Sequence, residues 1–592
     1  MRIYRMGHEW FDIGLFALHD LNVSEVLVPN ADGQMVGLAE FIENRSRKPI
    51  PPELARLDPA GQVVVYLNTR GEERSAPAGL CFLTHDTESR EVRASHRETI
   101  MPPEIRRAKI AEICRKHLAE ILVGGRKLRL GDRPVEIERK IYALPDLSFG
   151  GGKTLSARGT PGARNVAPAG FAEARRELLL DPKAGFQVKT PLDRHYIVLP
   201  KMVVDSWGSP FVHMLKREVT GLYPHGSFEP DVVSYDDVGV GHTFPQQANA
   251  ILEAVRSSCR RAGFATVMIH DIVKGKPRSH DQLEAAILRE LPKLEHSIRA
   301  TVIHSSKGRE CYEQRDDGRG NPVYRLNDRK AGVFRSYVRN VAISKVLLAH
   351  EKWPFVLSQP LHADVVIGID VKRNTAGYTV VSNSGRTIRF RSESSRQSEK
   401  LLASQIRTQL DTLLREEFED GGRSLGDIVI HRDGRSFPEE RAGAREAFRT
   451  LLADGVLKSD ATLTIVEIHK TSPSPLRFFD VRRDGCGSRV SNPNVGLHYV
   501  SGNDGYLATT GWPFRRPGTS KPLHVRFVEG EMEFERCLED VFRLSTLTWT
   551  RPEDCLRLPI TIKLTDRVLG EDATEYDEDE LRFGDEHGRE RA

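Results

Sequence analysis

Asp364-Val-Val-Ile-Gly-Ile-Asp370 and Asp427-Ile-Val-Ile-His-Arg-Asp-Gly-Arg435 decide how the C-terminal half of this chain is read. Each is an apolar run of strand length that ends in charged residues, the second followed at once by glycine. A carboxylate at the end of a buried strand sits on a rigid element while facing an open edge, which is what a metal site needs. Taken singly, Asp370 reads as a turn residue or helix cap, and the Asp433-Gly pair as an ordinary turn.

Two further acids join them. Between the two strands, Gln397 to Phe418 reads as an amphipathic helix with Leu401, Leu402, Ile406, Leu410, Leu413 and Leu414 on one broad face, and Glu399 stands at its head. Asp566 follows a strand-like run, Leu-Pro-Ile-Thr-Ile-Lys-Leu-Thr, from Leu558 onward. Clustered carboxylates repel unless a cation is present. Magnesium and manganese prefer hard oxygen ligands, and two such ions about 3.5–4 Å apart suit phosphodiester cleavage. Spacing alone does not show that the four acids converge.

Outward from these runs, the 592 residues are too many for one core, and four stretches separate. Residues 1–140 mix strand-like segments (QVVVYLNT) with a helix-like one (PEIRRAKIAEICRKHLAEIL). Residues 141–190, rich in Gly and Pro, read as a linker. Residues 191–362 alternate strand-like runs (HYIVLPKMVV, ATVMIHDIV, IRATVIHSS) with helical ones, the rhythm of an α/β domain with a mainly parallel sheet. Residues 363–592 form the last domain and end in a charged tail. Within the linker, Phe149 to Ser156 (FGGGKTLS) contains Gly-Lys-Thr, but a phosphate-binding loop needs glycine where Leu147 stands.

Composition narrows the class. The chain is 39% hydrophobic and 29% charged, with no apolar run of membrane-spanning length and no signal-peptide pattern, so a cytoplasmic protein is expected. Seven scattered cysteines without a Cys-x-x-Cys pair argue against a zinc site or disulfide framework. A net charge of +4 gives no global support for nucleic-acid binding, so any polyanion partner needs local basic surface. Arg477, Arg482, Arg515, Arg516 and Lys521 are candidates for that surface.

The series GID, SRQSEK, HRDGR and LPITIKLTD resembles the catalytic tetrad of Argonaute PIWI domains in order and spacing. GYLATTGWPFRRPGTSKPLHVRF and FRLSTLTWTRPEDCLRLPITIKLTDRVL resemble further segments of that family, and the likeness covers roughly residues 330–570. It implies a ribonuclease H-like PIWI domain preceded by a Rossmann-like MID domain and a smaller α+β N-terminal region. Asp370, Glu399, Asp433 and Asp566 would be catalytic and would hold two Mg2+ or Mn2+ ions, with Glu393 a nearby competitor of Glu399. VRNVAISKVLLAHEKWPFVL resembles the segment leading a guide-contacting helix into the PIWI sheet. Lys307, Tyr312 and Lys345 are then the candidates for holding the guide's 5′ end through charge-assisted bonds. The family's Lys-Leu-Gly-Gly stretch is absent, which leaves 5′-phosphate and 5′-hydroxyl guides both open. The N-terminal portion is short, so the PAZ module is expected to be missing or reduced.

The resemblance implies a guided endonuclease with a short DNA or RNA guide and a complementary target as partners, acting in host defence. A guide-binding sensor that cuts little and signals through an effector protein is the alternative. An unguided ribonuclease H-like enzyme would not need the MID-like segment.

Overall fold

In the computed structural model, the described residues are 2–5, 9–12, 16–30, 33–45, 58–67, 73–82, 100–131, 133–181, 183–187, 190–237, 244–270, 277–316, 322–372, 375–382, 385, 387–394, 400–470, 476–484, 487–514, 518–548 and 555–568. The chain divides into two compact units, one of Met1–Ile100 with Asp271–His280 and one of Met101–His270 with Asp281–Ala592. In the smaller unit, Gln62–Leu67 is the central strand between Phe16–Asn22 and Glu73–Pro77, antiparallel to both. Its β-branched Val63 packs with Val23, Val26 and Leu38.

The larger unit opens with helix Pro103–His117, shorter than the helical run in the sequence because Glu120–Val123 turns into a hairpin strand. Residues 195–304 form a four-stranded sheet in the order Asp231–Tyr235, His195–Pro200, Gly263–Ile269, Ile298–His304. Every pairing in it is parallel, as the alternating rhythm predicts. Ile197, Val198, Val267, Met268 and Ile269 are fully buried, which explains the continuous apolar runs.

The stretch expected to be a linker is built into the fold. Leu147–Phe149 pairs with Thr154–Ser156 on one side and with Phe355–Leu357 on the other. The glycines between them make a tight turn, not a phosphate loop: a Cβ on Gly150 would lie 2.2 Å from the Ala184 carbonyl oxygen. Helix Phe171–Leu180 then buries Arg175, whose guanidinium lies over the rings of Phe355 and Phe514 and donates to the Thr546 carbonyl. Gly150 and Gly151 here serve close packing, a Cβ on Gly151 falling 2.1 Å from the Lys183 carbonyl oxygen.

The C-terminal half is organised on a nine-stranded mixed sheet, whose strands are numbered here β1 Lys140–Ile141, β2 Val365–Lys372, β3 Thr375–Ser382, β4 Thr387–Ser394, β5 Ile428–Asp433, β6 Leu463–His469, β7 Leu497–Ser501, β8 Asp504–Leu507 and β9 Leu523–Glu529. Their order is β1-β7-β8-β9-β6-β5-β2-β3-β4. Strand β2 is antiparallel to β3 and parallel to β5, and β5 is parallel to β6. One face carries α1 (Ala403–Gly421) and α2 (Pro438–Ala453), packed on Val365, Ile367, Ile369 and Tyr378. The opposite face receives α3 (Phe534–Ser545) and α4 (Ile560–Val568) among Val366, Val381, Val429 and Val466. The segment read as a late strand is thus the helix α4. Its Thr561 and Thr565, four residues apart, share the face turned to the sheet.

Candidate metal centre and sheet-edge site

Asp370 and Asp433 lie at the C-terminal ends of neighbouring parallel strands. The register runs from Val365 opposite Ile428 to Ile369 opposite Arg432, so the next position sets Asp370 beside Asp433. Side chains alternate between sheet faces, and both aspartates fall on the α4 face. Strand β2 is here antiparallel to β3 on one side and parallel to β5 on the other, so both aspartates stand at strand ends that open at the same edge.

The two carboxylates are held differently. Asp370 is buried; its Oδ1 accepts from the Val371 amide at 2.7 Å and lies 4.0 Å from Arg432 Nη1, while its Oδ2 is buried without a hydrogen-bond partner. A carboxylate oxygen in that state is costly unless a cation or donor reaches it. Asp433 is met by Lys470, whose Nζ is 2.8 Å from Oδ2. The hard oxygens of Asp370 and Asp433, one buried without a partner, fit a magnesium or manganese ion. Among the described residues no three His, Cys, Asp or Glu side chains gather as a ready-made metal cluster.

The other two expected ligands stand as follows. Glu399 lies outside the described residues, but the chain just after it is anchored: the Leu401 amide donates to Glu440 Oε1 at 3.0 Å. Glu440 also accepts from the Phe437 amide and from both Nε and Nη2 of Arg432, each at 3.2 Å. One buried carboxylate thereby ties Leu401, the start of α2 and the end of β5 to one edge. Glu393, the competitor, sits opposite Ala376 on the α1 face, bonded to Tyr378 and Gln409, and so on the other side of the sheet from Asp370. Asp566 is in α4. That helix touches the sheet through Gly368, where the Thr561 carbonyl comes so close that a Cβ would meet it at 2.2 Å. Thr561 Oγ1 bonds His431 Nδ1 at 2.9 Å, and Thr565 bonds Thr379 at 2.8 Å. Burial pushes His431 down to about 3, so it is neutral.

Glu467 lines the same end of β6. Burial works to raise its carboxyl, yet bonds from His469 and from the amide and hydroxyl of Ser436 outweigh this and hold it down to about 2.

On the smaller parallel sheet the three expected guide-binding residues stand in different settings. Lys307 opens the turn after the last strand and pairs with Glu310 at 3.2 Å. Tyr312 is a core residue, stacked on Trp207 with centroids 5.5 Å apart and edge-on to Phe334, and burial pushes its phenol up to about 12. Lys345 lies on the helical turn Ala342–Leu347, where its carbonyl accepts from Thr301. What the sheet edge does assemble is Asp237, His270 and Ser305, each just past the end of its own strand. His270 bonds Asp237 Oδ2 through Nε2 at 2.5 Å and Ser305 Oγ through Nδ1 at 2.9 Å. The exposed Arg309 reaches both His270 Nδ1, at 3.3 Å, and Ser305 Oγ, at 3.4 Å. Of the basic candidates, Arg482 is exposed and pairs with Asp480, Arg477 donates to the Leu476 carbonyl, and Arg515 and Arg516 lie outside the described residues.

Sequence reasoning missed Gly368, Glu440, Lys470 and the His270 group. Only Gly368 carried a usable signal, since a lone glycine inside an apolar strand marks a close backbone approach. Among the described residues no helix is long and apolar enough to cross a membrane.

No protein-family model matches the chain, and no curated protein does. Solved structures do. Clostridium butyricum Argonaute bound to a guide DNA and a 19-mer target DNA superposes with a TM-score of 0.59 at 15% identity, over 93% of this chain and 69% of that one. Aa-Ago with externally bound siRNA gives 0.55 at 16% identity, over 96% and 72%.

Proposed function

We propose, from the premise that this chain is Argonaute-like in fold, that it is a nucleic-acid-guided endonuclease. In this reading residues 191–362 are the MID-like domain holding the guide's 5′ end, and residues 363–592 are the PIWI domain of ribonuclease H type. The observation that carries it is the pairing of Asp370 and Asp433 at adjacent strand ends, with one buried carboxylate oxygen left for a cation.

Asp370 and Asp433, completed by Glu399 and Asp566, would hold two Mg2+ or Mn2+ ions. The chemistry such ions supply when bound is activation of a water and stabilisation of the leaving oxygen. The chain's own residues set the geometry. Glu440 fixes Arg432 and Leu401, the Thr561 and Thr565 contacts fix α4, and β2 and β5 present the two aspartates from rigid strands. Base pairing with the guide would supply sequence choice, leaving the protein to read backbone and shape. Arg309, beside His270 and Ser305 at the parallel sheet's edge, would give a guide end its charge-assisted donor.

The test is cleavage with the four DNA/RNA guide–target combinations, carrying 5′-phosphate or 5′-hydroxyl guides, with Mn2+ or Mg2+. A single cut at a fixed distance from the guide's 5′ end, lost in D370A/D433A, supports the reading. Tight guide binding without a cut would favour a sensor that works through a partner, and cutting that ignores the guide would overturn the guided mechanism.

A further inference from the structure

Two acidic side chains at one buried sheet edge repel unless positive charge is supplied. Here the protein supplies it from two sources. Arg432 is locked: its guanidinium forks onto Glu440 and donates to the Asp433 carbonyl at 2.6 Å, so its charge is shared and its position fixed. Lys470 is different. It follows β6 on the α4 face, two residues past Ile468, which is the register partner of Asp433. Its ammonium meets Asp433 Oδ2 at 2.8 Å, with the two side chains only 18% and 10% exposed. An ammonium on a four-carbon stem is a compact point charge whose rotatable bonds let it leave one carboxylate oxygen without disturbing the backbone.

We infer that Lys470 is a placeholder cation: without metal it neutralises Asp433 beside Asp370, and a divalent ion enters by displacing it. The inference rests on the proposed role of Asp370 and Asp433 in holding metal. It makes metal affinity the outcome of a competition, weaker than the carboxylate set alone would give. The displaced side chain stays at the same edge.

The test uses the full chain without nucleic acid. Mn2+ binding is measured by titration calorimetry, with free Mn2+ followed by electron paramagnetic resonance, for wild type, K470Q, K470R and D370N/D433N. K470Q should bind Mn2+ roughly tenfold tighter, since the charge-assisted bond to Asp433 no longer has to be broken. It should also melt below wild type in EDTA and recover with Mn2+, while K470R stays near wild type. K470Q that retains its fold by circular dichroism yet binds Mn2+ no tighter overturns the placeholder role. If wild type and D370N/D433N take up Mn2+ alike, the carboxylate assignment itself fails, a result distinct from the first. Amine labelling of the wild type, read by mass spectrometry, needs no variant: Lys470 should label faster once Mn2+ is added. Labelling of Lys470 that Mn2+ leaves unchanged overturns the inference as well.

Discussion

Replacing Gly368 by alanine adds one methyl group at the point where α4 rests on β2. The new Cβ would stand 2.2 Å from the Thr561 carbonyl oxygen, 2.6 Å from its carbon and 2.8 Å from Thr561 Cβ, where ordinary contact begins at 3.4 Å. Helix and strand must therefore part by about 1.2 Å, the difference between 3.4 and 2.2. Overpacking of this kind costs about 1–3 kcal/mol. Parting the two also stretches the Thr561 bond to buried His431, whose loss adds roughly 1 kcal/mol. The expected destabilisation is thus about 2–4 kcal/mol. Because α4 carries Asp566 while Asp370 lies two residues beyond Gly368, the same displacement should slow cleavage by roughly a hundredfold, the usual effect of a 1 Å misplacement. Guide binding on the parallel sheet should be unchanged. Thermal melting and single-turnover cleavage at saturating guide read the two effects. A G368A protein that melts and cuts like wild type would refute the packing of α4 on β2 and the place it gives Asp566.

D370N and D433N should each abolish cutting while leaving guide affinity within about twofold, checked by cleavage and filter binding; loss of guide binding would mean that the sheet edge is structural. E440Q removes the charge that pairs buried Arg432, so a loss of about 3–5 kcal/mol is expected on denaturant unfolding, with cleavage falling in step. R309A should weaken guide binding several-fold and flatten its salt dependence without altering the melting point, as a phosphate contact at the parallel sheet's edge would. Glu467 is depressed from an ordinary 4.5 to about 2, so its contribution is intact above pH 4.5 and is lost as pH falls toward 2. E467Q should therefore flatten the acid limb of the stability profile in that window; an unchanged limb would mean that other carboxylates set it.

The strands around Asp370 and Asp433 were legible because a strand buried on both faces leaves a continuous apolar run. The parallel sheet was legible from its alternation with helices. That the two aspartates are neighbours was not, since adjacency is a matter of register between runs sixty residues apart. The strand reading of α4 failed because Ile560, Thr561, Ile562 and Thr565 are β-branched and favour strands locally, while packing against Gly368, His431 and Thr379 selects the helix. Residues 141–190 misled in the opposite sense, because glycine marks both loose loops and the closest backbone contacts. Tyr312 is singled out by the family resemblance, and its ring stacks on Trp207, a packing that no local pattern announces. Glu440 and Lys470 are single charges in helix and strand ends, and no local pattern sets them apart from solvated ones.

The pairing of β1 with β7 has a consequence for biosynthesis. Lys140 lies opposite His498, and next to it Tyr142 stacks on the His498 ring at 3.9 Å and donates to the Glu535 carbonyl. A ribosome adding about 5–20 residues per second makes β1 roughly 20–70 s before its partner strand exists. Over that interval the sheet's outermost strand must wait, while the parallel sheet of residues 195–304 is made after it, until β7 emerges to receive it. Closing that long loop comes late in assembly, before α3 and α4 are made, and a gene fragment that starts at residue 363 would be translated with no strand to place there.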